Sequence, residues 1–161
     1  MNVETPQYRQ KILLIEDAEP YRLLISTLLS PFFVVDQVAT LAAGMDMLRQ
    51  AAIRDEVYFC VLLDLGLPDS DIHKTFPSVA RLIPAASIVI VSQHDDPQFV
   101  SNAIRWGAAG YLVKGKDDLD AADLYRAIRS AVGRADLHDG LDRAQKVLHD
   151  TEHLLRRHYS P

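Results

Sequence analysis

The fold of this chain follows from the stretch Tyr58-Phe-Cys-Val-Leu-Leu-Asp64. Six apolar residues run without a polar interruption and then meet an aspartate. A continuous apolar run is typical of a strand that is covered on both faces, as in a parallel sheet. Working outward, four further apolar runs have the same character, and each is bounded by polar or turn-forming residues: Ile12–Ile15, Phe32–Val35, Ile88–Val91 and Tyr111–Val113.

Amphipathic segments separate these runs and predict helices. Apolar stripes at helical spacing are carried by Tyr21, Leu24, Ile25, Leu28 and Leu29, by Leu41, Met45, Leu48 and Ala52, and by Leu124, Ile128 and Ala131. Thr40 is a candidate N-cap, and Asp96-Pro97 begins a helix that runs to about Trp106. The acidic pair Asp117-Asp118 suits the positive end of the last helix.

The third helix is predicted to be short or distorted, because Pro77 and Pro84 bracket only Ser78–Ile83. Even so, strand and helix alternate five times. This alternation predicts an α/β fold, a doubly wound five-stranded parallel sheet, over residues 10–133.

Composition bounds the class of protein. The chain has 161 residues, 48% of them hydrophobic, which fits one domain and a modest appendage. Its formal charge of -5 argues against direct contact with nucleic acid. The single cysteine, Cys60, excludes a disulfide framework and a thiolate zinc site. No apolar run approaches a membrane span and residues 1–10 do not resemble a signal peptide, so we expect a cytoplasmic protein with no membrane contact.

In such sheets, ligands bind beyond the carboxyl ends of the strands, an edge here called the rim. Polar residues follow four of the predicted strands at this rim. They are Glu16, Asp17, Asp64, Ser92 and Lys114. Carboxylates brought together repel one another unless a cation intervenes, and ligands that offer only oxygen suit Mg²⁺. A lysine and a hydroxyl beside the ion suit a phosphoryl group. The rim therefore predicts phosphoryl transfer, with a carboxylate as covalent acceptor.

Four segments carry a resemblance to a known family: Ile12-Leu-Leu-Ile-Glu-Asp17, Leu62-Leu-Asp-Leu-Gly-Leu-Pro-Asp69, Ile90-Val-Ser-Gln-His-Asp-Asp96 and Gly107-Ala-Ala-Gly-Tyr-Leu-Val-Lys114. Together they resemble the receiver domain of response regulators in bacterial two-component signalling. The resemblance spans the whole α/β region and implies a flavodoxin-like receiver fold with strand order 2-1-3-4-5.

The resemblance implies a role for each residue of the rim. Asp64 would accept a phosphoryl group from a sensor histidine kinase or a histidine phosphotransfer protein. Glu16 and Asp17, together with Asp64 itself and the backbone carbonyl of Gly66, would hold Mg²⁺. Taken singly, each of these residues is also typical of an ordinary turn or helix cap.

The resemblance also implies a switch. Ser92 and Lys114 would contact phosphoryl oxygens, and Tyr111 matches the family's switch aromatic, which turns inward as the hydroxyl residue moves. The changed surface, on the fourth helix, fifth strand and fifth helix, would then signal to an output protein or domain. The packing of an aromatic at a strand end is the simpler interpretation of Tyr111.

Two departures from the family pattern and two other functions stay open. Ile72 stands where the family usually has a glycine, and Gly66 and His94 occupy positions that vary and can affect how long the phosphoryl group survives.

A receiver is not an enzyme beyond slow self-dephosphorylation. The alternative is an aspartyl-phosphate phosphohydrolase, although that class commonly has an aspartate where Gly66 stands. A binding module that signals without phosphorylation is a third reading.

The flanking segments differ from the receiver domain. We expect residues 1–9 to form an N-terminal arm, and residues 134–161 to form a helical tail that is either a coiled coil or the stump of a linker. The spacing of the tail predicts a coiled-coil seam, interrupted by Gly140, of Leu137, Leu141, Ala144, Leu148, Thr151 and Leu155. We expect a homodimer through this tail or through the surface of the fourth helix, fifth strand and fifth helix; the alternative is a tail packed on its own domain. The pair His149-Asp150 faintly resembles the phosphoaccepting site of sensor kinases.

Overall fold

The structure, a computed structural model, describes residues 9–115 and 121–131. Its strands are β1 (Lys11–Ile15), β2 (Val34–Val38), β3 (Cys60–Leu63), β4 (Ile88–Ser92) and β5 (Gly110–Val113). Its helices are α1 (Glu19–Leu29), α2 (Leu41–Ile53), α3 (Ile72–Ala80), α4 (Pro97–Arg105) and α5 (121–131). All strand pairs are parallel, in the order β2-β1-β3-β4-β5. The predicted doubly wound sheet is confirmed.

Helices cover both faces of the central strands, as the continuous apolar runs predicted. One buried cluster joins alternate residues of β1, β3 and β4, such as Leu13, to α2, α3 and α4. The other cluster joins the intervening residues, such as Ile12 and the fully buried Cys60, to α1 and α5. On the first face, α2 packs closely against β1 at Gly44, where any side chain would collide with Ile15.

The second strand is displaced from its predicted position at Phe32–Val35. The backbone N–H groups of Phe32 and Phe33 donate to the Leu29 carbonyl and so continue the last turn of α1. Strand β2 therefore begins at Val34 and continues through Asp36 and Gln37. It lies at the edge of the sheet, where its residues stay partly exposed and polar side chains are tolerated. The prediction of coverage on both faces is wrong for this strand.

The third helix is short, at nine residues, as predicted, but it begins at Ile72, upstream of the predicted Ser78–Ile83. Asp71 caps it by accepting a hydrogen bond from the His73 N–H at 2.8 Å. Pro77 lies inside the helix and has no N–H to donate to the preceding turn. A helix therefore forms on both sides of a proline that was expected to limit it.

The remaining helix predictions are confirmed with small corrections. Thr40 caps α2, and α4 begins at the Asp96-Pro97 pair. In α1 the buried residues are Ile25 and Leu29, whereas Leu24 is 43% exposed. In α2 the helix buries Ala51 in place of Ala52. The α5 stripe of Leu124, Ile128 and Ala131 is fully buried.

Several predictions fall outside the described residues. They concern the arm before Arg9, the acidic pair Asp117-Asp118, the coiled-coil seam of the tail, and His149-Asp150. Within the described ranges, no helix has the length and apolar character needed to span a membrane.

Candidate functional site

The ladder of the sheet brings the predicted residues to one edge. The N–H of Asp64 donates to the Ile15 carbonyl at 3.0 Å, and the N–H of Lys114 donates to the Ser92 carbonyl at 2.8 Å. These backbone bonds extend the strand pairs by one residue at their carboxyl ends. The side chains that follow β1, β3 and β5 thus project from neighbouring positions, because parallel strands end on the same side of a sheet.

A pocket of about 170 Å³ lies at this edge. Its lining includes all five polar residues that the sequence assigned to the rim, together with four neighbours: Glu16, Asp17, Ala18, Asp64, Gly66, Ser92, Gln93, His94 and Lys114. The structure therefore brings together the predicted acceptor, metal ligands, hydroxyl and lysine. Tyr111 is not among the lining residues.

A buried ionic cluster forms the floor of the pocket. Lys114 Nζ donates a hydrogen bond to Glu16 Oε2 and lies 3.3 Å from Asp64 Oδ2. The three side chains are 2%, 1% and 8% exposed, respectively. One ammonium thus faces two buried carboxylates, and the exposed Asp17 adds a third carboxylate at the mouth. When ionised, these carboxylates together carry more negative charge than the single positive charge of the lysine can balance.

The charge imbalance is visible at Glu16. The pKa of Glu16 is raised to about 7, mainly because its side chain is buried; the hydrogen bond from Lys114 lowers this pKa and the charge of Asp64 raises it. The N–H of Ala18 also donates to Glu16 Oε1 at 3.1 Å. A buried carboxylate with an elevated pKa is one that an added cation stabilises in its charged form.

The acidic cluster fits a divalent ion. Glu16, Asp17 and Asp64 each offer a carboxylate oxygen, and these oxygens lie within 4.8 Å of one another. Carboxylate oxygens are ligands that suit Mg²⁺, and the open side of the pocket leaves room for the several waters that Mg²⁺ keeps when it binds to proteins. The backbone of Gly66 lies beside this cluster, since its N–H donates to Asp64 Oδ1 at 3.1 Å. The predicted role of the Gly66 carbonyl as a metal ligand stays a prediction.

The two residues of the predicted switch are joined through His94. The N–H of His94 donates to Ser92 Oγ at 3.4 Å, and the Tyr111 hydroxyl donates to the His94 carbonyl at 2.6 Å. Ser92 is completely buried, and burial raises the pKa of Tyr111. The hydroxyls of Ser92 and Tyr111 thus both bond to the backbone of His94.

Sequence reasoning missed three residues that organise the site and its surroundings. Tyr21 was assigned to the core-facing stripe of α1, but the centroid of its ring lies 4.6 Å from Lys114 Nζ. Arg22 Nη1 donates to the carbonyls of Glu16 and Asp17, at 2.8 and 2.9 Å. Asp69 accepts hydrogen bonds from the first two N–H groups of α2, both at 2.9 Å. No local pattern reveals these contacts, because each partner is supplied by a different segment or by the backbone.

The order of the sheet and the polar site at its carboxyl edge define a flavodoxin-like α/β protein. The sequence model of the response regulator receiver domain matches residues 12–129, so the chain belongs to the response regulator receiver family. Receiver domains are signalling domains of two-component systems, and they bind Mg²⁺ at an acidic site.

The curated relatives are response regulators. The transcriptional regulatory protein DegU of Brevibacillus brevis is 26% identical over 141 residues, which cover 86% of this chain and 57% of that protein. The response regulator VraR of Staphylococcus saprophyticus is 27% identical over 120 residues, which cover 74% of this chain and 54% of that protein. The chain thus spans about half the length of the curated relatives it matches.

Solved structures show the same fold. A response regulator receiver domain from Clostridium thermocellum matches with a TM-score of 0.67 and 25% identity, over 80% of this chain and 98% of that one. The receiver domain of a LuxO repressor protein from Vibrio parahaemolyticus matches with a TM-score of 0.66 and 21% identity, over 83% of this chain and 97% of that one.

Proposed function

We propose that this receiver domain accepts a phosphoryl group on Asp64 in a reaction that requires Mg²⁺. The single observation that carries the proposal is the shared ammonium of Lys114, which lies 3.3 Å from Asp64 Oδ2 inside an acidic pocket. A nucleophilic carboxylate, a cation beside it and a set of metal-ligating oxygens are the groups that phosphoryl transfer needs.

In the proposed reaction a carboxylate oxygen of Asp64 attacks the phosphorus of a donor phosphohistidine. The bond between phosphorus and the histidine nitrogen breaks, and its electron pair returns to the imidazole, which then takes a proton. Lys114 donates to a phosphoryl oxygen, and Ser92 hydrogen-bonds to another. Glu16, Asp17 and Asp64, with the Gly66 carbonyl, would hold Mg²⁺, which would supply further positive charge for the phosphoryl oxygens. The solved structure of the response regulator Rcp1, 20% identical with a TM-score of 0.57, is a Mn²⁺-bound form, which supports a divalent ion in this fold.

The proposed output is a change at Ser92 and Tyr111. Movement of the Ser92 hydroxyl toward a phosphoryl oxygen would break its hydrogen bond from the His94 N–H. His94 also accepts the hydrogen bond of Tyr111, so the change would reach the surface of α4, β5 and α5. Gly66 and His94 flank the acceptor and are proposed to influence the lifetime of the phosphoryl group.

The proposed partners follow from the family. Response regulators act with sensor kinases and output domains. We propose that a sensor histidine kinase or a histidine phosphotransfer protein donates the phosphoryl group in the cytoplasm. A downstream protein or domain would then respond to the phosphorylated chain. The domain limits at residues 10–133, and a homodimer through the tail or the α4–β5–α5 surface, belong to the same proposal.

The two other functions have less support. A phosphohydrolase of the aspartyl-phosphate class would use a second aspartate as acid and base, and position 66 offers only a glycine whose N–H contacts Asp64. A module that signals without phosphorylation would not need the buried lysine beside the acceptor. Neither alternative explains the whole cluster.

Acetyl phosphate with Mg²⁺ tests the proposal, with phosphorylation followed by electrophoresis in a phosphate-binding gel. We expect the wild type to be modified once, and Asp64→Asn or the addition of EDTA to prevent it. Asp46→Asn, which changes an exposed carboxylate on α2, is the matched control and should be modified like the wild type. Equal modification of Asp64→Asn would refute the acceptor. Rapid turnover of p-nitrophenyl phosphate would favour the phosphohydrolase.

A further inference from the structure

We propose that Tyr21 is a positioning residue, whose ring face holds the Lys114 ammonium within reach of Asp64. The ring centroid lies 4.6 Å from Lys114 Nζ, and the lysine side chain is only 2% exposed. This inference rests on the proposed function, because it assigns a residue to the same reaction.

The ammonium is held from three directions. A lysine ammonium has three N–H donors and a flexible four-carbon stem, so its contacts determine where it lies. Glu16 accepts one hydrogen bond, Asp64 lies 3.3 Å away, and the face of Tyr21 covers a further side. An aromatic face attracts a cation more strongly when water is excluded, as it is around this buried lysine.

The position of the ring is fixed by the start of α1. Tyr21 lies in the first turn of this helix, which begins at Glu19, with one residue between it and the acidic pair Glu16-Asp17 of the β1–α1 loop. The next residue, Arg22, donates to the carbonyls of Glu16 and Asp17 and ties this turn to that loop. The ring and the carboxylates are therefore parts of one local structure, into which Lys114 projects from the end of β5.

The ring complements Glu16 as a contact of the lysine. Glu16 is also a candidate metal ligand, and a carboxylate that coordinates an ion shares its charge with that ion. Asp64 is a candidate metal ligand too, so Tyr21 is the one of these three lysine contacts that is independent of the metal. We expect the loss of the aromatic face to leave the ammonium less well placed for a phosphoryl oxygen, with little change in the requirement for Mg²⁺.

Two variants separate the aromatic face from the hydroxyl. Tyr21→Phe keeps the ring and is expected to be phosphorylated by acetyl phosphate within about twofold of the wild-type rate, whereas Tyr21→Leu is expected to be about fivefold slower. The Mg²⁺ concentration for half-maximal rate should be unchanged in both. Leu23→Ala, at an exposed position of the same helix, is the control and should match the wild type.

A second measurement needs neither metal nor phosphorylation. The ring current of Tyr21 should shift the Hε protons of Lys114 upfield in the NMR spectrum, with assignment from Lys114→Arg. The shift should persist in Tyr21→Phe and disappear in Tyr21→Leu. If the leucine variant fails to fold, as judged by circular dichroism, Tyr21→Met replaces it.

The outcomes distinguish this inference from the proposed function. An unchanged Hε shift or a wild-type rate in Tyr21→Leu would overturn the positioning role, as would a phenylalanine variant as slow as the leucine variant. If acetyl phosphate fails to modify the wild type at Asp64, the proposed function fails, and the NMR measurement still decides whether the ring contacts the lysine.

Discussion

Lys114 Nζ lies 3.3 Å from Asp64 Oδ2 while it donates a hydrogen bond to Glu16, so a single buried ammonium is shared by two buried carboxylates. Burial of these charges is unfavourable for stability, but it places the ammonium beside Asp64. Buried charges are unfavourable unless they are paired, and removal of one partner leaves the others uncompensated. The same ammonium is available to any phosphoryl group that is formed on Asp64.

Removal of the ammonium should therefore destabilise the protein, and neutralisation of Glu16 should relieve part of the effect. We expect Lys114→Met to lower the free energy of unfolding by about 3 kcal/mol, because Glu16 and Asp64 lose their cation. We expect Glu16→Gln in the same chain to restore about 1 kcal/mol of this loss. Urea unfolding of both single variants and the double variant, without Mg²⁺, measures the coupling. Strictly additive effects would contradict the shared pairing.

Arg22 should support metal binding from outside the ligand set. Its guanidinium holds the carbonyls of Glu16 and Asp17, and groups that orient ligands affect metal affinity strongly. We expect Arg22→Met to weaken Mg²⁺ binding about tenfold in isothermal titration calorimetry. Arg49→Met removes an exposed arginine from α2 and is the control. The prediction fails if the two variants bind Mg²⁺ with the same affinity.

Asp69 should stabilise the start of α2 in a way that depends on pH. Hydrogen bonds from the N–H groups of Ala42 and Leu41 hold the pKa of Asp69 below its ordinary value of 3.8. A carboxyl whose pKa is lowered by folding contributes stability above its unfolded pKa and loses it as pH falls through the folded pKa. We expect Asp69→Ala to lower the free energy of unfolding by about 1 kcal/mol at neutral pH.

The pH series gives the decisive comparison for Asp69. The difference between Asp69→Ala and the wild type should narrow as pH falls below about 4, where the wild-type carboxylate takes up its proton. The control Asp46→Ala removes an exposed carboxylate from the same helix and should stay within about 0.5 kcal/mol of the wild type. A difference that is constant with pH would show that the charge of Asp69 does not act on the helix.

The sequence predicts the sheet and most of the rim because both depend on simple patterns. Apolar runs identify strands, and the residue after each parallel strand lies at the shared carboxyl edge, as Asp64 and Lys114 do. The predicted position of β2 is wrong because Phe32, which resembles the start of a strand, lies in the turn that follows α1. Tyr21 was assigned to the core because an apolar stripe does not distinguish packing on aliphatic side chains from contact with a lysine that is distant in sequence.

Chemical mapping of the phosphorylated residue tests most directly whether Asp64 is the covalent acceptor. Borohydride reduces an aspartyl phosphate to homoserine, so protein treated with acetyl phosphate and Mg²⁺ should yield homoserine at position 64 in peptide mass spectrometry. Samples without Mg²⁺ should retain aspartate there. Homoserine at position 17, or at another aspartate in place of position 64, would contradict the account.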